Sequence, residues 1–185
     1  MIDASLSEAD QKMRKAVEVA KDDFASIRTG RAHPSMFAKL TADYYGTPTP
    51  FQQLASFSNP EPRVVTINAY DRQALAAIEK AIRDSDLGVN PTNTGELLRV
   101  VMPELTEERR KDYIKLARGK AEDARVSVRN IRRHAKQSME KELKDGDVSE
   151  DEVSGAEKRL DAMTKKNVDQ IDELLKHKEA ELLEV

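Results

Sequence analysis

Apolar residues recur at helical spacing in three stretches of the chain. Leu6, Met13, Val17, Ala20, Phe24 and Ile27 follow one another at intervals of seven, four, three, four and three, a heptad-like seam on one helix face. A second helix is predicted from about Glu107 to Lys144, with its seam at Tyr113, Ala117, Ala121, Ala124, Val128, Ile131 and Ala135. Its length at 1.5 Å per residue is about 57 Å. Thr106 is placed to cap it, Glu107 and Glu108 suit the positive end of its dipole, and Gly146 is placed to stop it. Gly119, inside this helix, costs about 1 kcal/mol relative to Ala, which points to a close helix approach or a bend there. A third helix starts at the capping-box pair Ser149 and Glu152. Val153, Ala156, Leu160, Met163, Val168, Ile171, Leu174, Leu175 and Leu182 supply its buried side. Three such seams satisfy one another in a rod-like three-helix bundle, and the alanines of the middle seam allow close approach.

Between Gly30 and Glu104 the pattern changes. All seven prolines fall here, and short β-branched or alternating runs occur at 40–45, 63–68 and 97–102. Gly46-Thr47-Pro48, Asn59-Pro60 and Asn90-Pro91 supply turns between them. Asp71 is placed to cap a short helix whose apolar side is Leu75, Ile78 and Ile82. Residues 31–103 therefore read as a small α+β domain, large enough for its own core, inserted into a discontinuous three-helix bundle formed by 1–30 and 104–185. The fold class is α+β. The chain crosses between the two domains at Thr29, Gly30 and Arg31 and again at Pro103 and Glu104, which makes these five residues a candidate double hinge. Gly30 is the most permissive of them, and an ordinary helix C-cap is an equally good reading of it.

Composition sharpens this. Of 185 residues, 38% are hydrophobic, 4% aromatic and 35% charged, which suits long helices that bury a narrow stripe. There is no Cys, so disulfides, thiolate metal sites and Cys nucleophiles are out. Met1-Ile2-Asp3-Ala4 shows no basic region followed by an apolar run, and no stretch approaches the roughly 20 apolar residues of a membrane span. A soluble cytoplasmic protein is expected. The net charge of −3 hides an uneven distribution. Residues 109–136 hold eleven basic groups against three acidic ones, whereas residues 146–185 hold twelve acidic groups against six basic ones.

Chemistry-bearing motifs are sparse. No phosphate-cradling or dinucleotide-binding glycine pattern occurs, since Gly119-Lys120 lacks the upstream glycine. His33, His134 and His177 lie far apart on different elements, so no metal site is expected. No nucleophile elbow is present, and the carboxylates read as solvated helix faces. Neither an enzymatic activity nor a cofactor is expected.

The strongest signal is the basic face of the second long helix. At 100° per residue, Arg118, Arg125, Arg129, Arg132, Arg133 and Lys136 fall within about 60° of one line down the cylinder. Lys111 and Lys115 continue that face toward the N-terminus. Like charges one turn apart, such as Arg125/Arg129 and Arg132/Lys136, cost about 0.2–0.5 kcal/mol per pair in an isolated helix. Arginine's planar fork suits phosphate oxygens, and an RNA backbone is the obvious polyanion. The ridge is thus expected to be unpaired and free to grip RNA. The competing reading pairs these arginines with the acidic third helix or leaves them as a solvated face. Both stay open at this point. A coiled-coil adapter and an RNA-processing enzyme are the remaining alternatives.

Several stretches resemble the ribosome recycling factor family. They are Ile27-Arg28-Thr29-Gly30-Arg31-Ala32, Tyr44-Tyr45-Gly46-Thr47-Pro48-Thr49-Pro50, Glu79-Lys80-Ala81-Ile82, Leu105-Thr106-Glu107-Glu108-Arg109-Arg110-Lys111 and Val128-Arg129-Asn130-Ile131-Arg132-Arg133. They are spread over both expected domains. The resemblance implies an L-shaped two-domain protein, with a long three-helix bundle joined by a flexible hinge to the smaller, inserted β/α/β domain. It further implies action after translation termination, as a monomer on the large ribosomal subunit and its rRNA. The GTPase elongation factor G would be its partner in splitting the ribosome into subunits, and the partner would hydrolyse the GTP. Arg129 and Arg132 match the family's basic positions, with Arg133 and its neighbours on the same face. Tyr44 and Tyr45 are expected to pack on the sheet, and Pro48 and Pro50 to shape a turn.

Overall fold

The computed structural model describes residues 1–184. Its elements in chain order are α1 (Ile2–Ala25), β1 (Thr41–Tyr44), β2 (Thr47–Pro50), α2 (Phe51–Leu54), β3 (Ala55–Glu61), β4 (Val64–Ala69), α3 (Leu75–Arg83), β5 (Pro91–Asn93), β6 (Leu98–Val101), α4 (Glu107–Lys144) and α5 (Glu150–Leu183). Short 3₁₀ turns at Pro34–Phe37 and Arg72–Ala74 complete the set. The chain divides into two compact units, Met1–Phe24 with Ile114–Ala180, and Ala25–Tyr113 with the C-terminal residues from Glu181. The architecture is α+β, with two domains.

The first unit is built on the three seams. Leu6, Met13, Ala20 and Phe24 of α1, Ala117, Ala121, Ala124, Val128, Ala135 and Met139 of α4, and Val153, Ala156, Leu160 and Ile171 of α5 are all buried. Two polar residues also lie on the buried stripe of α5. Asn167 is 3% exposed and Lys178 8% exposed. Asn167 Nδ2 donates to the Met163 carbonyl at 2.8 Å and lies 3.8 Å from Met13 Sδ. Bonding back one turn keeps the amide's polar group satisfied inside an apolar stripe. Arg118 meets Glu179, Arg125 meets Asp172 and Arg132 meets Asp161, so α4 and α5 run antiparallel. Asp3 meets Arg159 and Met13 meets Asn167, so α1 and α5 run parallel.

Local chemistry fixes where these helices start and stop. Thr106 Oγ1 accepts from the Arg109 amide at 3.1 Å, which satisfies one of the free donors at the start of α4. Ser149 and Glu152 form the reciprocal capping box at the start of α5, with bonds of 2.8 and 3.1 Å. Between them, Gly146 has φ +78°, and its amide donates to the Leu143 carbonyl while that of Asp147 donates to Glu142. These two bonds make a Schellman closure, which requires the left-handed conformation at Gly146. Of the two readings of Gly119, the close helix approach is not what the structure shows. The residue is exposed, and a Cβ built there meets nothing within 4 Å, so no helix packs against it.

In the second unit β1 and β2 form a hairpin, and β3-β4-β6-β5 form an antiparallel sheet. Phe37, Phe51, Ile67, Ile78, Ile82, Leu98 and Met102 are the largest side chains of its core. The Phe37 ring stacks on both Phe51 and Phe57. Three of the six strands coincide with the β-branched runs of the sequence. The other three contain prolines and lie at edges: Pro48 and Pro50 in β2, Pro60 in β3 and Pro91 opening β5. A proline costs no ladder bond when its missing N–H would face solvent. Asp71 caps the turn that leads into α3, its carboxylate accepting from the Gln73 amide at 2.9 Å. The same carboxylate accepts from the Tyr44 hydroxyl at 2.8 Å. That hydrogen bond, helped by desolvation, pushes the phenol up to about 12. Tyr44 is half-buried, but Tyr45 does not pack on the sheet. It occupies the hairpin turn with φ +52°, is 74% exposed, and its hydroxyl donates to Gln73 Oε1 at 2.6 Å. The turn directs its side chain outward.

Replacing Gly146 tests the closure between α4 and α5. Gly146→Ala is expected to lose about 1 kcal/mol, the cost of a left-handed Cβ-bearing residue. The urea midpoint should fall with its slope unchanged. An unchanged midpoint would contradict the role given to this glycine.

Candidate nucleic-acid interface

The heptad spacing of Arg118, Arg125 and Arg132 puts three guanidiniums on one line of α4, about 10.5 Å apart at 1.5 Å per residue. Antiparallel packing brings the acidic face of α5 alongside them. Arg118 Nε donates to Glu179 at 2.7 Å, Arg125 Nε to Asp172 at 2.7 Å, and Arg132 Nε to Asp161 at 2.8 Å. The third rung is displaced by one turn. Position 165, which continues the heptad from 172, is a lysine that pairs with Asp169 at 2.8 Å. Arg132 therefore reaches on to Asp161. Glu122 joins two more members of the face, meeting Arg125 Nη1 at 3.0 Å and Arg129 Nη1 at 3.3 Å.

The expectation of an unpaired ridge is thus corrected. Arg118, Arg125, Arg129 and Arg132 each hold a carboxylate. The physical reason is the one that segregated the charges in sequence: an acidic α5 packed antiparallel to a basic α4 places opposite charges face to face. Arg133 instead donates to its neighbour Asn130 at 2.6 Å, and among the described residues Lys136 forms no ion pair. Pairing does not hide the face. The side chains of Arg118, Arg129 and Arg132 remain 66%, 58% and 39% exposed. Arg125 is the most enclosed, at 20%. Between the helices lies an open groove of about 490 Å³ bordered by Glu122, Arg125, Arg129, Asp172, Lys176 and Glu179. Its rim can present guanidinium N–H groups to an anion, because each arginine has five donors and the carboxylates use one or two.

The electrostatics follow from these contacts. Burial works against the charge on Arg125, but its hydrogen bonds to Asp172 and Glu122 outweigh burial and raise its pKa. The hydrogen bond from Arg125, with the nearby Arg129 charge, holds the Glu122 carboxyl below the ordinary glutamate value. The face is a set of coupled ion pairs with surplus donors.

The five candidate hinge residues all fall in the second unit. Thr29 is buried, and its hydroxyl bonds both the carbonyl and the amide of Arg31. Gly30 does not close α1, which ends at Ala25, and its φ lies outside the left-handed region. An added Cβ there would meet only the Glu184 carbonyl oxygen, at 4.0 Å. Pro103 accepts a 2.8 Å hydrogen bond from Arg28, Glu104 pairs with Arg63 at 3.2 Å, and Arg31 pairs with Glu184 at 3.0 Å. Together with Arg110, whose Nε is buried without a partner, Gly30, Arg31, Arg63, Glu104 and Glu184 border a cleft of about 530 Å³. Local spacing does not point to this gathering, because its members are spread from residue 30 to residue 184.

His33 caps the turn that follows it, accepting from the Ser35 amide, and His134 borders a small cavity between α1 and α4. Among the described residues no cluster of His, Asp and Glu is arranged to hold a metal ion, and no helix is long and apolar enough to cross a membrane.

Glu122 offers a direct check of the coupled pairs. A pKa lowered by folding means that its contribution is fully present above the ordinary value of 4.5 and is lost as pH falls through the lower, folded value. Its carboxyl carbon, followed by NMR, should titrate below 4.5 and move back toward that value in Arg125→Gln. Titration at the ordinary value in the unaltered protein would contradict the pairing.

The family model for ribosome recycling factor matches residues 20–183. The chain is 65% identical to the ribosome-recycling factor of Kineococcus radiotolerans and 65% identical to that of Streptomyces avermitilis, over the full length of each. It is also similar to a solution structure of ribosome recycling factor, with a TM-score of 0.81 and 41% identity across 100% of this chain and 98% of that one. A second structure is described as models for the T. thermophilus ribosome recycling factor and the E. coli elongation factor G bound to the E. coli post-termination complex. It matches with a TM-score of 0.72 and 42% identity over the whole of both chains. Matched along nearly its whole length by that model and by full-length relatives, the chain belongs to the ribosome recycling factor family.

Proposed function

We propose that this protein binds large-subunit rRNA after translation termination and, with the GTPase elongation factor G, splits the post-termination ribosome into subunits. The observation that carries this reading is the arginine face of α4, open to solvent at Arg118, Arg129 and Arg132 and holding unused donors. Arg118, Arg125, Arg129, Arg132, Arg133 and Lys136 are its rRNA-binding residues. The ribosome-bound relative, a full-length match at 42% identity, supports the choice of partners.

The energetics favour exchange of partners. Exposed ion pairs contribute only about 0.2–1 kcal/mol each, so moving a guanidinium from a carboxylate to a phosphate costs little. Each exchange swaps one charge-assisted contact for another of similar kind, so the net gain comes from the counterions released as the phosphates are neutralised. Several phosphates in a row along α4 would make the exchange strongly favourable. Most of that gain is electrostatic, and it falls with salt because counterions released into a more concentrated solution gain less entropy.

The first domain, proposed as 1–30 with 104–185, supplies the rRNA grip, and the inserted domain, 31–103, is the part moved by elongation factor G. Thr29, Gly30 and Arg31 with Pro103 and Glu104 are the proposed hinge. The GTP is hydrolysed by the partner, so the chain contributes binding and leverage without catalytic groups or a cofactor. It works as a monomer in the cytoplasm, where ribosomes are recycled.

Two measurements test this. Light scattering of post-termination ribosomes with elongation factor G and GTP should show subunit splitting that depends on this protein, and an equal rate without it would contradict the proposal. Arg132→Ala should weaken pelleting with the large subunit about tenfold at matched salt, the loss of one contact of roughly 1.5 kcal/mol. Unchanged affinity would remove Arg132 from the interface.

A further inference from the structure

Asp161, Asp172 and Glu179 occupy the Nε side of the three guanidiniums that the proposed RNA face would offer to phosphates. Each accepts from the Nε of one arginine in the heptad row, at 2.7–2.8 Å. All three come from α5, so a single helix lays one row of carboxylates along one row of guanidiniums. As stabilising contacts the pairs at Asp161 and Asp172 are weak, while Glu179 is more enclosed at 26% exposure. Asp172 and Asp161 are themselves 50% and 58% exposed, and ion pairs in that setting are screened by solvent. As competitors they are well placed, because a carboxylate meets a guanidinium with the same donor–acceptor geometry that a phosphate uses.

We propose that Asp161, Asp172 and Glu179 are specificity-determining residues, a built-in polyanion substitute that keeps the α4 arginines from binding RNA indiscriminately. The inference rests on reading that face as the RNA surface. A bare row of cations would bind any nucleic acid, since phosphate neutralisation takes no account of sequence or shape. With the carboxylates in place, a phosphate that takes the full fork of Arg118, Arg125 or Arg132 must displace one of them. Each exchange breaks one charge-assisted contact and forms one, and the released carboxylate returns to water. A flexible single strand must also lose conformational freedom to line up along α4, and isolated exchanges do not offset that cost. A rigid RNA surface that offers several phosphates in a fixed row displaces the carboxylates together. The acidic helix thus lowers affinity for all RNA, and selects for an ordered partner.

The test uses the full chain, with polyuridylate as the unstructured probe. In the triple variant Asp161→Asn, Asp172→Asn and Glu179→Gln, three guanidiniums lose their competitors while the amides keep the hydrogen-bond acceptors. Polyuridylate affinity at low salt should rise at least about tenfold. The slope of log K against log salt should steepen by about 2, from roughly 0.7 per cation engaged on a single strand. A control variant, Glu18→Gln, Asp22→Asn and Asp123→Asn, makes the same change in net charge at exposed carboxylates outside the row. It should raise affinity less than about threefold and leave the slope unchanged. Equal affinity and slope in the two variants would overturn the proposal. Thermal melting checks that both fold, and if the triple variant does not, Asp172→Asn alone should steepen the slope by about 0.7, an unchanged slope again overturning it. Pelleting of the unaltered protein and of Arg132→Ala with the large subunit separates the two ideas. If arginine dependence persists while the triple variant matches its control, only the competitor role falls. If Arg132→Ala binds as well as the unaltered protein, the RNA-face reading falls and takes this inference with it.

Discussion

The antiparallel pairing of a basic α4 with an acidic α5 is the contact on which the bundle's surface depends. It is made possible by what lies beneath it. The buried stripe of α4 is mostly alanine, at 117, 121, 124 and 135, with Val128 and Met139. Small side chains let helix axes approach closely, and close axes let arginines on one rim reach carboxylates on the next. The stripe is narrow, so most of each helix stays in solvent. That geometry turns a chain with 35% charged residues into an ordered row of guanidiniums in place of a diffuse charged surface.

The row is held weakly and deliberately placed. Three rungs between helices and the Glu122 bridge within α4 fix the directions of the arginines, and those arginines keep donors to spare. Holding the side chains in line lowers the rotamer entropy lost when a polyanion binds, since long arginine side chains otherwise pay about 1.5–2 kcal/mol each on ordering. The same carboxylates compete for the site. Preorganisation and competition are therefore two effects of one set of contacts, and their balance favours partners that present many phosphates at once.

Much of this was legible in the residues. The heptad seams, the Thr106 cap, the capping box at Ser149 and the stop at Gly146 follow from local spacing, and local spacing is what a single helix obeys. The strands that carry prolines were not legible, because Pro48, Pro50, Pro60 and Pro91 argue against strand until the sheet order shows that they lie on edges. Asn167 and Lys178 were missed for a related reason: a polar residue breaks an apolar pattern even when tertiary contacts bury it. The arginine face was legible on α4 alone, but its pairing was not. Whether Arg132 faces water or Asp161 depends on the register of two helices separated by a loop, and the periodicity of either helix leaves that register free. Gly119 shows the converse, where a residue that suggested close packing faces open solvent.

The central claim is that the arginine row of α4 trades its carboxylates for RNA phosphates. Arginine modification by phenylglyoxal, read by mass spectrometry on the free chain and on the chain bound to the large ribosomal subunit, tests it most directly. The account predicts that Arg118, Arg129 and Arg132 react in the free chain and are protected on the subunit. Arg14, which pairs with Asp10 on α1, and Arg159, which pairs with Asp3, should react equally in both states. Protection of Arg14 and Arg159 with undiminished reaction at Arg118, Arg129 and Arg132 would contradict it.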